Sequence, residues 1–195
     1  MRRADPIRQE QRRQQILEAA GRCFMRDGFR GASISDICHE AKMSPGHLYH
    51  YFESKDAIIA ALTQAGLAQA AAHFDRVMNS AHPLAAFIEE VANARYGPAS
   101  QLLVLDMLVE SGRVPSIAAI LREHSRALRG MLAKLLRQAQ ERGEIDSSLE
   151  PDPTAATLLA IIDGCRAMAV RDPKLARTAG QESVKLLIRR FLKAR

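Results

Sequence analysis

The chain has 195 residues, 47% of them apolar, which is enough for one good core or two small ones. No stretch approaches the roughly 18 uninterrupted apolar residues of a membrane span. The basic opening MRRADPIRQEQRRQQ is not followed by the apolar segment of a signal peptide, so a cytoplasmic protein with no membrane partner is expected. The net charge of +6 suits a nucleic-acid partner. Its distribution is uneven: residues 1–55 carry +3, residues 56–170 carry −3 and residues 171–195 carry +6. Charge alone therefore does not find a nucleic-acid site. The three cysteines, Cys23, Cys38 and Cys165, are odd in number and sit in apolar helical stripes, which reads as buried small hydrophobes in a reducing compartment.

In chain order, residues 1–7 read as a mobile arm whose Arg2 and Arg3, with the following Arg8, either lie along phosphates or are solvated. Over 8–27 the apolar positions Ile16, Ala19, Ala20, Cys23 and Phe24 recur at helical spacing, and Gly28 is placed to end that helix. The stretch 33–55, SISDICHEAKMSPGHLYHYFESK, then reads as two short helices at a sharp turn. Ser33 caps the first, with Asp36 at the capping-box position and Ile34, Ile37 and Ala41 on one face. Lys42 and Met43 make the turn. Ser44 caps a second helix of about two turns with Pro45 at its first position, where the missing N–H costs nothing. Leu48 and Phe52 face inward, while His47, Tyr49 and His50 point elsewhere with flat, hydrogen-bonding rings. Two helices at such a turn are what a helix-turn-helix needs to enter a major groove, although an αα-corner has the same spacing.

The residues Ile34, Asp36, Ile37, Ala41, the run from Ser44 to Phe52, Ser54 and Lys55 resemble the signature of the TetR/AcrR family of bacterial transcriptional regulators. The resemblance is specific over about residues 8–60 and architectural beyond. It implies an all-α fold with an N-terminal three-helix DNA-binding domain, residues 1–54, and a C-terminal ligand-binding and dimerisation domain, residues 55–195. It also implies that Ser33, Ser44, Pro45, Gly46, His47, Tyr49, His50, Tyr51 and Lys55 face DNA, with His47 and His50 nearest base edges, Tyr49 nearest the backbone and Lys55 on a phosphate. One departure is the glycine such proteins usually have where this chain has Lys42; a left-handed lysine there would carry roughly 1–2 kcal/mol of strain. Lys55 is also electrostatically misplaced in the first turn of a helix. A phosphate would remove that conflict, and the alternative is a lysine pointing into water.

Ser54 caps a helix to about Met78 with Ile58, Ile59, Leu62, Ala70, Phe74 and Val77 inward, long enough to join a DNA-reading head to a body. Helices follow from the His82–Pro83 break to about Tyr96, from Gly97–Pro98 to Ser111, and over 115–142 with Gly143 beyond its end. Residues 153–170 are apolar on nearly every face, so one side should meet a second subunit. Gly164 lies in the middle of that helix, and a close helix approach is the reason read for it. The last helix, about 180–193, sets Val184, Leu187, Ile188, Phe191 and Leu192 against Lys185, Arg189, Arg190 and Lys193. A four-helix interface from two copies of these last helices would bury both stripes.

Polar groups inside the apolar body must pair, reach water or line a cavity. Asp163 and Arg166, three apart, are simplest as a same-helix ion pair. Asp106 and Glu110 share a sign, so they require exposure or a cationic partner, or else a cavity for a cationic ligand. With His124 as a further polar group and Phe74, Phe87, Met107 and Met131 as apolar walls, these residues form the candidate ligand pocket. No metal-ligand set and no nucleophile–base signature is found, so no cofactor and no enzymatic activity are expected. The resemblance implies a homodimeric repressor that binds a palindromic double-stranded operator and is released by a small-molecule effector. An activator, an effector-independent DNA-binding protein, and an all-α enzyme or interaction module stay open as alternatives.

Overall fold

The computed structural model describes residues 6–93, 98–172, 174 and 179–193. The described residues form α1 (Pro6–Gly31), α2 (Ile34–Ala41), α3 (Pro45–Tyr49), α4 (Lys55–Met78), α5 (Pro83–Asn93), α6 (Pro98–Ser111), α7 (Pro115–Glu141), α8 (Pro151–Arg171) and α9 (Ala179–Leu192), with no strand among them. Arg2, Arg3 and the expected helix end at Tyr96–Gly97 lie outside the described residues.

Proline punctuates this order. Helices α3 and α5 to α8 all begin on a proline, which needs no helical N–H partner in the first turn and arrives with its φ already set. The ends are equally local in origin. Gly143 takes φ +68° beyond α7, donating to Gln140 O at 2.9 Å while Glu144 N–H reaches Ala139 O at 2.9 Å, the double bond of a Schellman ending.

The chain divides into two compact units: Met1–Gly66 with Leu102–Arg122, and Leu67–Gln101 with Glu123–Arg195. The expected boundary after residue 54 falls at the start of α4, whose residues 55–66 belong to the first unit. In that unit Ile16, Ala20, Cys23 and Phe24 of α1, Ile37 of α2, Leu48 of α3, and Ile58 and Ile59 of α4 share one buried cluster with Ile117 of α7. Asp56 of α4 also accepts from the Ser116 hydroxyl at 2.6 Å.

The second unit packs Phe74 and Val77 of α4, Phe87 and Ile88 of α5, Leu132, Leu135 and Leu136 of α7, Leu158 of α8, and Ile188 and Leu192 of α9. Helix α9 lies on α5, and Lys185 reaches Glu89 at 2.7 Å, a bond that holds the Glu89 carboxyl below its ordinary range. Of the expected α9 stripe, Ile188 and Leu192 are fully buried, Val184 and Phe191 half-buried, and Leu187 is 52% exposed. Helix α8 buries only Thr154, Ala155 and Leu158, and Met168 stands out at 40% exposure.

By length and composition α4 and α8 could cross a membrane, although neither holds an uninterrupted apolar run of that length. Here α4 supplies Ile58, Ile59, Phe74 and Val77 to the cores of the two units, and α8 carries the ion pair of Asp163 and Arg166. Cys23 and Cys38 are buried and Cys165 half-buried, and burial pushes all three thiols up from their ordinary range.

Candidate nucleic-acid interface

The pair α2–α3 is built by its caps. Ser33 Oγ accepts the Asp36 N–H at 3.1 Å and Asp36 returns the bond to the Ser33 N–H at 2.8 Å, so the capping box is complete. The Ser33 hydroxyl also donates to Asp36 at 2.5 Å, and these bonds hold the Asp36 carboxyl below the usual carboxylate range. Ser33 is therefore occupied within its own helix. At the other end Lys42 adopts φ 54°, ψ 49°, with its N–H on His39 O and the Met43 N–H on Cys38 O. The glycine-type ending is thus made by a lysine, as the departure from the family pattern implied.

Helix α3 is shorter than expected at five residues. Ser44 Oγ accepts the His47 N–H at 3.3 Å, Pro45 fills the first turn, and Leu48 is wholly buried with Phe52 at 5% exposure. These two anchors turn the opposite side outward. Pro45, Gly46, His47, Tyr49 and His50 are exposed, Tyr49 at 53%, and a Cβ on Gly46 would meet nothing within 4 Å. Tyr51 departs from the expected set: its ring is half-buried against the core and takes the His47 ring at 5.5 Å and the His50 ring edge-on at 5.3 Å. It supports two imidazoles rather than standing free.

Behind this face α1 braces α2. Gln15 donates to Ala41 O at 2.8 Å, Arg22 pairs with Glu40 at 2.7 Å and lowers that carboxyl's pKa, and Arg13 lies 5.3 Å over the Phe52 ring. Sequence reading missed all of these contacts. Their partners are too far apart in the chain for any periodicity to pair them.

Lys55 has partners within the chain. Its ammonium donates to Phe29 O at 2.8 Å and Ala32 O at 3.1 Å and lies 4.4 Å over the Phe29 ring. Carbonyl dipoles of the chain itself thus offset the conflict with the positive end of α4. Asp106 and Glu110 have such partners too. Asp106 Oδ2 accepts the Phe29 N–H at 2.5 Å, and Glu110, 3% exposed, pairs with Arg30 at 2.9 Å and Arg113 at 3.5 Å. Exposure or a cationic partner was expected for the two acids, and Glu110 has two such partners, Arg30 and Arg113.

The candidate pocket residues are divided between the two units. Asp106, Met107 and Glu110 belong to the first unit, where Met107 packs on its core. Phe74 and Phe87 are buried in the core of the second, with Met131 against them. In that unit the Asp163–Arg166 ion pair forms at 3.0 Å, as expected. Burial and the Arg166 charge depress the half-buried His124 imidazole below its ordinary range, with Asp163 opposing them.

An all-helical chain whose capped α2–α3 pair anchors two apolar residues and turns a polar helix start outward has the build of a helix-turn-helix regulator. Residues 16–62 match the model of bacterial regulatory proteins of the tetR family, and residues 80–194 match the C-terminal model of BetI-type transcriptional repressors. The chain is 32% identical over 153 residues to the HTH-type transcriptional regulator UidR of Escherichia coli, covering 78% of each chain. It is 27% identical to the HTH-type nicotine-responsive transcriptional repressor HdnoR of Paenarthrobacter nicotinovorans, covering 83% of this chain and 85% of that one. The structure of Salmonella enterica GusR superposes with a TM-score of 0.84 over the whole of both chains at 28% identity. The chain belongs to the TetR family of transcriptional regulators and is not an enzyme.

Proposed function

We propose that this protein is a cytoplasmic homodimeric repressor that binds a near-palindromic operator through α3 and leaves it when a small-molecule effector binds. The observation that carries the reading is the division within α3, with Leu48 and Phe52 buried and Pro45, Gly46, His47, Tyr49 and His50 outward. One short recognition helix per subunit reads few bases, so two subunits about one helical turn apart on the duplex are needed for specificity. Residues 1–54 read DNA and residues 55–195 dimerise and hold the effector, with α4, α6 and α7 bracing the head inside the first unit.

Dimerisation is supported by what α8 and α9 leave uncovered. Met168, Leu186 and Leu187 are 40–52% exposed, and a Cβ on Gly164 would meet nothing within 4 Å of the chain. The effector reading is supported by the name of HdnoR, a nicotine-responsive repressor. The second unit's half-buried His124, Asp163 and Arg166 are the polar groups we assign to that ligand. An effector that binds better to the state with mis-spaced heads lowers DNA affinity by the same factor by which DNA lowers effector affinity.

The test is selection of duplexes from a random pool by the full-length protein, followed by binding of H47A to the selected site. A near-palindrome bound by two subunits, with H47A changing base preference within each half-site, is the expected result. Failure to enrich any sequence, or a uniform loss of affinity in H47A, would overturn the reading.

A further inference from the structure

The corner where α1 gives way to α2 is held from both sides of one residue. Gly28 takes φ +71° and ψ 170°, which swings the next peptide out of the helical direction. The Phe29 N–H so redirected meets Asp106 Oδ2 of α6 at 2.5 Å, and the Phe29 carbonyl meets the Lys55 ammonium of α4 at 2.8 Å. Glycine is favoured here for its φ, and a Cβ would also stand 3.2 Å from Asp106 Oδ2, so the carboxylate would have to shift to admit one. An anion and a cation from two different helices thus hold the two backbone groups of one residue by charge-assisted bonds.

The reading head begins a few residues beyond this corner. Lys55 also holds Ala32 O at 3.1 Å, and the next residue, Ser33, is the cap of α2. Between α2 and α3 the turn is closed by the Lys42 and Met43 backbone bonds and the Ser44 cap. Phe29 to Ala32 is the segment by which α1 passes into α2, and it is held there in addition to the direct α1–α2 contacts of Gln15 and Arg22. We propose that Asp106 and Lys55 are positioning residues for DNA recognition, acting through the Phe29 backbone to set the angle at which α2 and α3 leave α1. The inference rests on the reading that α3 meets DNA. It assigns Lys55 a role other than phosphate binding, and it gives the α6 carboxylate a hold on the head.

The experiment uses full-length protein and the duplex that the wild type selects from a random pool. D106A, D106N, K55M and D106A/K55M are titrated well below their melting temperatures, with the active fraction fixed by stoichiometric binding. D106A and K55M should each weaken binding about tenfold, and the double variant should stay near that tenfold loss rather than reach the roughly hundredfold of independent sites. The slope of log K against log salt should not change in K55M, whereas withdrawing a lysine from a phosphate would reduce it by about 1. D106N, which keeps the side-chain volume, should give a smaller loss and move the Phe29 amide proton upfield, a signature that a general loss of stability does not produce.

Additive losses, a reduced salt slope in K55M, or unchanged affinity in a D106N protein whose Phe29 amide has moved would each overturn the inference. If the wild type selects no duplex at all, the DNA reading fails first and the inference falls with it. Unchanged wild-type selection with unaffected variants sinks the inference alone.

Discussion

The ion pair between Arg30 and Glu110 is asymmetric, and the asymmetry makes a sharp prediction about stability. The Glu110 side chain is 4% exposed, while its partners Arg30 and Arg113 are 64% and 58% exposed. Removing Arg30 leaves a buried carboxylate with Arg113 at 3.5 Å, longer than the 2.9 Å bond it loses. The penalty is that of a weakened hydrogen bond to a buried charge, about 2 kcal/mol. For a chain of this size that lowers Tm by about 4–8 °C. Removing the carboxylate instead releases two arginines that already face water. E110M, which keeps most of the volume and abolishes the desolvation cost, should therefore lie within about 1 kcal/mol of wild type. The double variant R30A/E110M should resemble E110M and not R30A. Thermal melts at one fixed protein concentration test this, since Tm of an associating protein depends on concentration. If E110M falls as far as R30A, or R30A does not shift Tm, the burial argument is wrong.

Three further outcomes are expected from the same geometry. Lys42 sits at φ 54°, so K42G should be more stable than K42A by about 1 kcal/mol, glycine alone escaping the left-handed strain; equal denaturant midpoints would contradict it. The depressed His124 pKa means that the folded protein binds fewer protons than the unfolded chain just below pH 6.5. Its contribution is present above that pH and lost as pH falls through the folded-state value, before the carboxylates Asp36, Glu89 and Asp146 lose theirs below about pH 4. Wild-type Tm should drop between pH 7 and 5.5, and H124Q should flatten that drop; parallel curves would refute the assignment. Gly164 has open space around its Cβ position, so G164A should stabilise α8 by about 1 kcal/mol while G164L separates the subunits in sedimentation; a G164L dimer of wild-type affinity would remove the case for close approach there.

Much of the fold was legible because its signals are local. Caps and punctuation act within four residues: Ser33 with Asp36, Ser44 with His47, Ser54 Oγ accepting the Ala57 N–H at 3.0 Å, and the prolines that open helices from Pro45 onward. Periodicity found the core for the same reason, placing Ile16, Phe24, Leu48 and Ile58 inward without reference to any tertiary neighbour. The outward residues of α3 are then reached by elimination, once Leu48 and Phe52 are fixed. Tyr51 escaped this logic because an amphipathic ring half-buries itself, and the pattern distinguishes only inside from outside.

Lys42, Asp106, Glu110 and Lys55 each break a local rule: a non-glycine at a left-handed turn, two like charges four apart in an apolar helix, and a cation at the positive end of a helix. Local reading sees the conflict but not its full resolution, since the partner of Asp106 lies 77 residues away and Arg30, the more closely bonded of the two partners of Glu110, lies 80 away. Periodicity offers such groups only solvent, an unnamed partner or a ligand, because it carries no information about remote parts of the same chain. Three of the four conflicts instead find their partners within Phe29–Ala32, where Phe29 gives its N–H to Asp106, Arg30 pairs with Glu110, and the Phe29 and Ala32 carbonyls take Lys55. A sequence that places unfavourable groups on separate helices and satisfies them at one corner has given up local consistency for the geometry of that corner. The fourth, Lys42, lies at the other bend of the same α1–α2–α3 path, so each of these departures from local preference bears on a bend of that path.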